Sequence, residues 1–121
     1  MKKVLIIDDD IVFRQTLGDM LKAEGLAIVE AGDGKEGLSV HEAEKPDLIM
    51  LDIEMPELDG IGFLKALRND QNAKTPVLIT SNRSGLDTIS EGVALGVRGY
   101  IVKSAMPLSS IVEMVGSELA E

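Results

Sequence analysis

Along the chain, short apolar runs alternate with longer stretches in which apolar residues recur every three or four positions. The runs are KVLII before Asp8, LAIVEA at 26–31, DLIMLD at 47–52, PVLIT at 76–80 and GYIV at 99–102. All are rich in Val, Ile or Leu, and three lack polar alternation, as strands covered on both faces do. The intervening stretches have helical period. The first carries Phe13, Leu17, Met20 and Leu21 and stops at Gly25, a C′ glycine. The second follows Asp33 as N-cap and ends before Pro46, and the third puts Ile61, Leu64 and Leu67 on one face. A fourth, with Leu86, Ile89 and Val93, ends near Gly96; a fifth follows Pro107 with Leu108, Ile111, Val112, Val115 and Leu119. Five strand–helix units on short links predict an α/β fold with a parallel sheet and helices on both faces. No linker, repeat or low-complexity segment interrupts them, so residues 1–121 read as a single domain.

In such a sheet, function lies beyond the carboxyl ends of the strands, near the point where strand order reverses. That rule collects Asp8, Asp9 and Asp10 after the first strand, Asp52 after the third, Thr80 after the fourth and Lys103 after the fifth. Each alone has a plain structural reading. Asp10 directly precedes a helix and suits an N-cap, Asp52 suits a turn, Thr80 is a common strand-terminal residue and Lys103 suits solvent. Together they bring several carboxylates, one hydroxyl and one ammonium to one rim. Adjacent carboxylates repel by about 4 kcal/mol per pair at about 4 Å and an effective dielectric of about 20. A divalent cation offsets that repulsion, and a hard ion with oxygen ligands, Mg²⁺, suits this set. A metal-bound aspartate beside a lysine and a threonine is also a site for receiving a phosphoryl group.

Composition narrows the alternatives. A chain of 121 residues, 45% hydrophobic and 27% charged, is a globular domain with one core rather than a disordered segment. Aromatics are limited to Phe13, Phe63 and Tyr100, so the core is aliphatic. A net charge of -9 argues against nucleic-acid binding through this domain. Cysteine is absent, which excludes disulfides and thiol chemistry. No apolar run reaches membrane-spanning length and the N-terminus lacks a signal-peptide core, so a cytoplasmic location without membrane contact is expected.

On these residues the sequence resembles the response-regulator receiver (CheY-like) family over essentially its whole length. IIDDD matches the family's acidic pair, and LIMLDIEMPELDG its phosphoacceptor strand and following loop, through Asp52, Met55, Pro56, Asp59 and Gly60. VLIT matches its switch strand and GYIVK its aromatic-x-x-Lys strand. The resemblance implies a doubly wound, flavodoxin-like sheet of order 2-1-3-4-5 with five helices. It implies that Asp52 is the phosphoacceptor, Asp9 a direct Mg²⁺ ligand, Asp8 a ligand through water, and the Glu54 backbone carbonyl a further ligand. Lys103 would pair with a phosphoryl oxygen, Thr80 would donate its hydroxyl to that group, and Tyr100 would rotate inward in response. The switching surface would be the fourth helix, fifth strand and fifth helix. The implied partners are a sensor histidine kinase or phosphotransfer protein, an output domain or target protein, and a second copy in a phosphorylation-dependent homodimer. No output domain follows the last helix, which reads as a stand-alone receiver or a piece of a longer protein. His41, the single histidine, lies far along the chain from these motifs and reads as a surface residue.

Two positions depart from the family pattern. Lys103 is followed by Ser104 where the family commonly has a proline after a cis bond, so a trans bond is expected here. Glu54 and Asn82 occupy positions that tune acyl-phosphate hydrolysis in the family, and the sign of the extra acid's effect is open.

Three rivals remain at this point. Asp8-Asp9-Asp10-Ile11-Val12 also fits the opening of haloacid-dehalogenase-like phosphatases, with Thr80 and Lys103 as later motifs. That family needs a further acidic pair at a strand end, but only Glu113, Glu118 and Glu121 follow, and Asp52 would be unexplained. GDGKEG at 32–37 is a literal G-x-G-x-x-G with Asp52 at about the spacing of a ribose-binding acid. It follows the second strand rather than the first, and Asp33 and Glu36 would face a pyrophosphate. A pseudo-receiver would lack the acceptor or the lysine, and both Asp52 and Lys103 are present.

Overall fold

Side chains alternate between the two faces of a strand, so a strand buried throughout must lie in a sheet covered on both sides. The computed structural model describes residues 1–54, 60–69, 74–81 and 96–120. Five strands form: β1 (Lys3–Ile7), β2 (Ala27–Ala31), β3 (Leu48–Asp52), β4 (Val77–Ser81) and β5 (Gly99–Val102). Every pairing is parallel, in the order β2-β1-β3-β4-β5. Each residue of β3 and β4 is buried, which accounts for the unbroken apolar runs that precede Asp52 and Thr80. The helices are α1 (Ile11–Ala23), α2 (Gly34–Glu44), α3 (Gly60–Asn69) and a C-terminal helix (Leu108–Leu119). The expected doubly wound sheet and its strand order are present. The expected fourth helix with Leu86, Ile89 and Val93, together with Met55, Pro56, Asp59, Asn82 and Glu121, lies outside the described residues.

The two faces carry separate cores. On one, Leu5, Ile7, Leu51 and Ile79 pack with Phe63, Leu64 and Leu67 of α3. On the other, Val4, Ile6, Met50 and Leu78 pack with Leu17 and Leu21 of α1 and with Ile111 and Val115 of the C-terminal helix. Phe63 is fully buried, and aliphatic residues make up the rest of the buried hydrophobic core.

Local chemistry sets where the helices begin and end. The Asp10 carboxylate accepts the Phe13 N–H at 3.1 Å, and Asp33 accepts the Glu36 N–H at 2.8 Å, so both acids cap helices as expected. Helix α1 closes at Gly25, whose φ of 88° is open to glycine at little cost. The Leu26 N–H donates back to the Leu21 carbonyl at 3.3 Å, which is why β2 starts one residue later than the apolar run suggests. β4 runs one residue further than PVLIT, to Ser81. The segment after Lys103 is a 3-10 turn, Lys103–Ala105, and no peptide bond among the described residues is cis.

Candidate functional site

The strand register assembles the site. Ile7 lies opposite Leu51, so Asp8 and Asp52 follow on adjacent strands; Asp52 lies opposite Thr80, and Thr80 opposite Ile101. Lys103 stands two residues beyond Ile101, on the same side of the strand by period-two alternation. Asp8, Asp52, Thr80 and Lys103 therefore share the parity of Val4, Met50, Leu78 and Ile101, the face covered by α1 and the C-terminal helix. Strand order reverses between β2-β1 and β3, which puts the acids at the switch point of the sheet.

Geometry brings together most of the residues that the sequence singled out. One carboxylate oxygen each from Asp8, Asp9 and Asp52 lies within 4.8 Å of the others. Asp8 is wholly buried, Asp52 nearly so, and Asp9 is exposed. Lys103 Nζ is 2.7 Å from Asp8 Oδ2 and 3.7 Å from Asp52 Oδ2. Asp8 Oδ2 meets the ammonium as an ion pair without a directed hydrogen bond, while Asp8 Oδ1 accepts the Asp10 N–H at 2.9 Å. Asp52 Oδ1 accepts the Glu54 N–H at 3.0 Å. Thr80 is buried beside Asp52.

Burial pushes the Asp52 carboxyl up to about 7, well above the usual carboxylate range. The Asp8 charge and a hydrogen bond shared with Asp8 push the same way, against the Glu54 N–H and Lys103, which favour the anion. Three carboxylates facing one ammonium leave an excess of negative charge that a hard divalent cation fits. Positive charge placed there would return Asp52 to its anionic, nucleophilic form.

Not every expected residue joins the cluster. Asp10 turns away to cap α1. Tyr100 pairs with Ile79 and packs against the α3-side core, on the opposite face of the sheet from Lys103. His41 is not a free surface residue: it is half-buried, and its Nε2 lies 2.9 Å from Thr75 Oγ1, near the start of β4 and away from Thr80. The first residue of α3, Gly60, donates its N–H to the Ile53 carbonyl at 3.3 Å, just beyond the end of β3. A Cβ at Gly60 would collide with Ile53 Cα and sit 2.6 Å from the Asp52 carbonyl oxygen, so only glycine allows this approach.

Other participants were not visible in the sequence. Arg14 Nη1 donates to the Asp8 carbonyl at 2.6 Å while Nε pairs with Glu30 Oε1 at 2.8 Å, tying α1 and β2 to the end of β1. The buried Ser81 hydroxyl donates to Glu54 Oε1 at 2.9 Å. The Phe13 ring centroid lies 4.4 Å from Lys103 Nζ. Only Arg14 carried a local signal, one helical turn beyond the acid run.

A family model described as the response regulator receiver domain matches residues 4–115. The transcriptional regulatory protein PdtaR of Mycobacterium tuberculosis is 34% identical over 123 residues, covering 99% of this chain and 59% of that protein. The probable transcriptional regulator ycf27 of Cyanophora paradoxa is 37% identical over 106 residues, covering 88% of this chain and 44% of that protein. The chain thus spans about half the length of the curated relatives it matches. The solved structure of the Vibrio cholerae chemotaxis protein CheY4 superposes with a TM-score of 0.89 at 32% identity, covering 98% of this chain and 99% of that one. The Francisella response regulator 1452 receiver domain gives 0.88 at 34% identity, covering 98% and 96%.

Proposed function

The chain belongs to the response-regulator receiver domain family, a family of signalling switches, and from that premise we propose that Asp52 is its phosphoacceptor. The observation that carries this reading is the convergence of Asp8, Asp9 and Asp52 within 4.8 Å, with Lys103 Nζ 3.7 Å from the Asp52 carboxylate. Residues 1–121 act as one receiver domain. The phosphoryl donor is a phosphohistidine on a sensor kinase or phosphotransfer protein in the cytoplasm. An Asp52 carboxylate oxygen attacks phosphorus in line; the new O–P bond forms as the P–N bond breaks, and the imidazole leaves. Lys103 meets the charge on an equatorial oxygen, and Thr80, opposite Asp52 in the register, offers its hydroxyl to the same group.

Asp8, Asp9, Asp52 and the Glu54 carbonyl would hold Mg²⁺, which supplies charge neutralisation for the transferring group when bound. The clustered carboxylates are the fit that supports this. Hydrolysis of the acyl phosphate later resets the domain. No helix among the described residues is long and apolar enough to cross a membrane. Output passes to a further domain, a target protein or a second copy.

The Asp33 cap removes the support for a dinucleotide site at 32–37, because its carboxylate already fills the helix N-terminus. The Asp10 cap likewise disfavours the phosphatase rival, which needs that acid in the cluster. A small acyl-phosphate donor with Mg²⁺ should add one hydroxylamine-labile phosphoryl group to the parent. Asp52→Asn should abolish the labelling. If Asp8→Asn abolishes turnover while Asp52→Asn is still labelled, the phosphatase assignment replaces this one.

A further inference from the structure

Lys103 directly follows β5 and opens a 3-10 turn whose next residues, Ser104 and Ala105, are exposed. The next residue is Ser104 rather than a proline that would stiffen the backbone, and the side chain of Lys103 is held by other elements. Two carboxylates approach from one side, Asp8 Oδ2 at 2.7 Å and Asp52 Oδ2 at 3.7 Å. The Phe13 ring provides a third contact, with its centroid 4.4 Å from Nζ. The enclosed lysine side chain is only 10% exposed. Phe13 is itself packed against the core cluster that contains Leu17 and Ile101. The core therefore fixes the ring, and the ring lies against the ammonium.

An ammonium is drawn to the negative face of an aromatic ring, most strongly where water is excluded. This attraction is broad, so the cation can shift across the face without breaking a directed bond. The lysine's nearer partner, Asp8, also belongs to the acidic cluster and would be drawn toward a cation held there. Lys103 would then lose its shortest contact, while the ring would keep its place. We infer that Phe13 is a positioning residue for Lys103: its ring face holds the ammonium at the rim, shielded from water and within reach of Asp52, while Asp8 changes partner. This inference rests on the acceptor role proposed for Asp52. A leucine would fill similar space but offers no negative face.

The test compares the parent with Phe13→Leu and Phe13→Tyr, all checked for cooperative unfolding. Residue-resolved reaction of lysines with an amine-directed reagent, with and without Mg²⁺, reads the shielding of Lys103 directly. Labelling by a small acyl phosphate reads its use. In Phe13→Leu, Lys103 should react several-fold faster, most clearly with Mg²⁺ present. Labelling of Asp52 should slow by about fivefold, the factor expected for a cation–π contact of ordinary strength. Phe13→Tyr, which keeps the ring, should match the parent in both. Equal Lys103 protection in the leucine variant and the parent would overturn the inference, as would a tyrosine variant that behaves like leucine. If the parent is not labelled at all, the acceptor role fails instead, and the amine reaction still reports on the ring.

Discussion

Asp52 pays an electrostatic cost for its burial beside Asp8, and its protonation should be visible in stability. Its folded pKa of about 7 stands above the ordinary value of 3.8. The folded state therefore binds a proton more tightly than the unfolded chain, and this group's contribution is full below about pH 4 and lost as pH rises to about 7. Without divalent cations, denaturation midpoints at pH 5 and pH 8 should differ more in the parent than in Asp52→Asn. An equal pH dependence in both proteins would show that Asp52 does not carry the shift. Repulsion also makes a prediction for Asp9, which is exposed and sits within 4.8 Å of two buried carboxylates. Asp9→Ala should unfold at higher temperature than the parent without Mg²⁺ and bind Mg²⁺ more weakly, by about tenfold or more in titration, as loss of one close charge implies. A variant that binds the ion as well as the parent would remove Asp9 from the ligand set.

At the scale of elements, the end of β3 depends on how closely α3 can begin. Gly60 starts α3 with its Cα against Ile53 and the Asp52 carbonyl, a contact that leaves no room for a methyl group. The two nearest neighbours are backbone atoms, so they cannot turn aside as a side-chain tip can. Gly60→Ala should cost about 1–3 kcal/mol in chemical denaturation, the usual range for overpacking. Since the displaced atoms adjoin Asp52, acyl-phosphate labelling should slow as well. A variant with parent-like stability and labelling would mean that the approach relaxes without consequence. The strut from Arg14 to the Asp8 carbonyl and to Glu30 serves the same purpose on the other side of the cluster, fixing β1 against α1 and β2.

For the whole molecule, the question is how a group on Asp52 is felt at a distance. A shift from mostly off to mostly on needs about 5 kcal/mol of differential stabilisation. One charge-assisted hydrogen bond contributes about 1.5–3 kcal/mol, so Thr80 alone cannot supply it and Lys103 must share the load. The register gives both a route outward, because Thr80 pairs with Ile101 and β5 leads to Lys103. Tyr100 belongs to the opposite face, packed against the α3-side core, so its response would have to pass through β4 and β5 rather than across an open cavity. Thr80→Ala should still accept phosphate yet show a blunted change in backbone amide shifts over residues 96–110 when beryllofluoride is added. A response as large as the parent's would break the proposed coupling through Thr80.

Local chemistry made much of this legible in the sequence. Strand and helix periods located the described elements to within about a residue or two, since side-chain direction follows directly from backbone geometry. The caps at Asp10 and Asp33 were legible because a cap bonds only three residues ahead. The acids, Thr80 and Lys103 were legible as a set because a parallel sheet gathers its strand ends on one rim. What the sequence could not decide were contacts between residues brought together only by packing. Arg14 reaching Glu30, Phe13 lying against Lys103, Ser81 holding Glu54 and His41 meeting Thr75 all join segments with no shared local pattern. The unequal burial of adjacent acids is the sharpest case. Asp8 and Asp9 are neighbours in sequence with the same charge, yet one is enclosed beside Lys103 and the other faces solvent. Alternation at the strand end set them apart, and only the helices packed over one face determined which of the two would be buried.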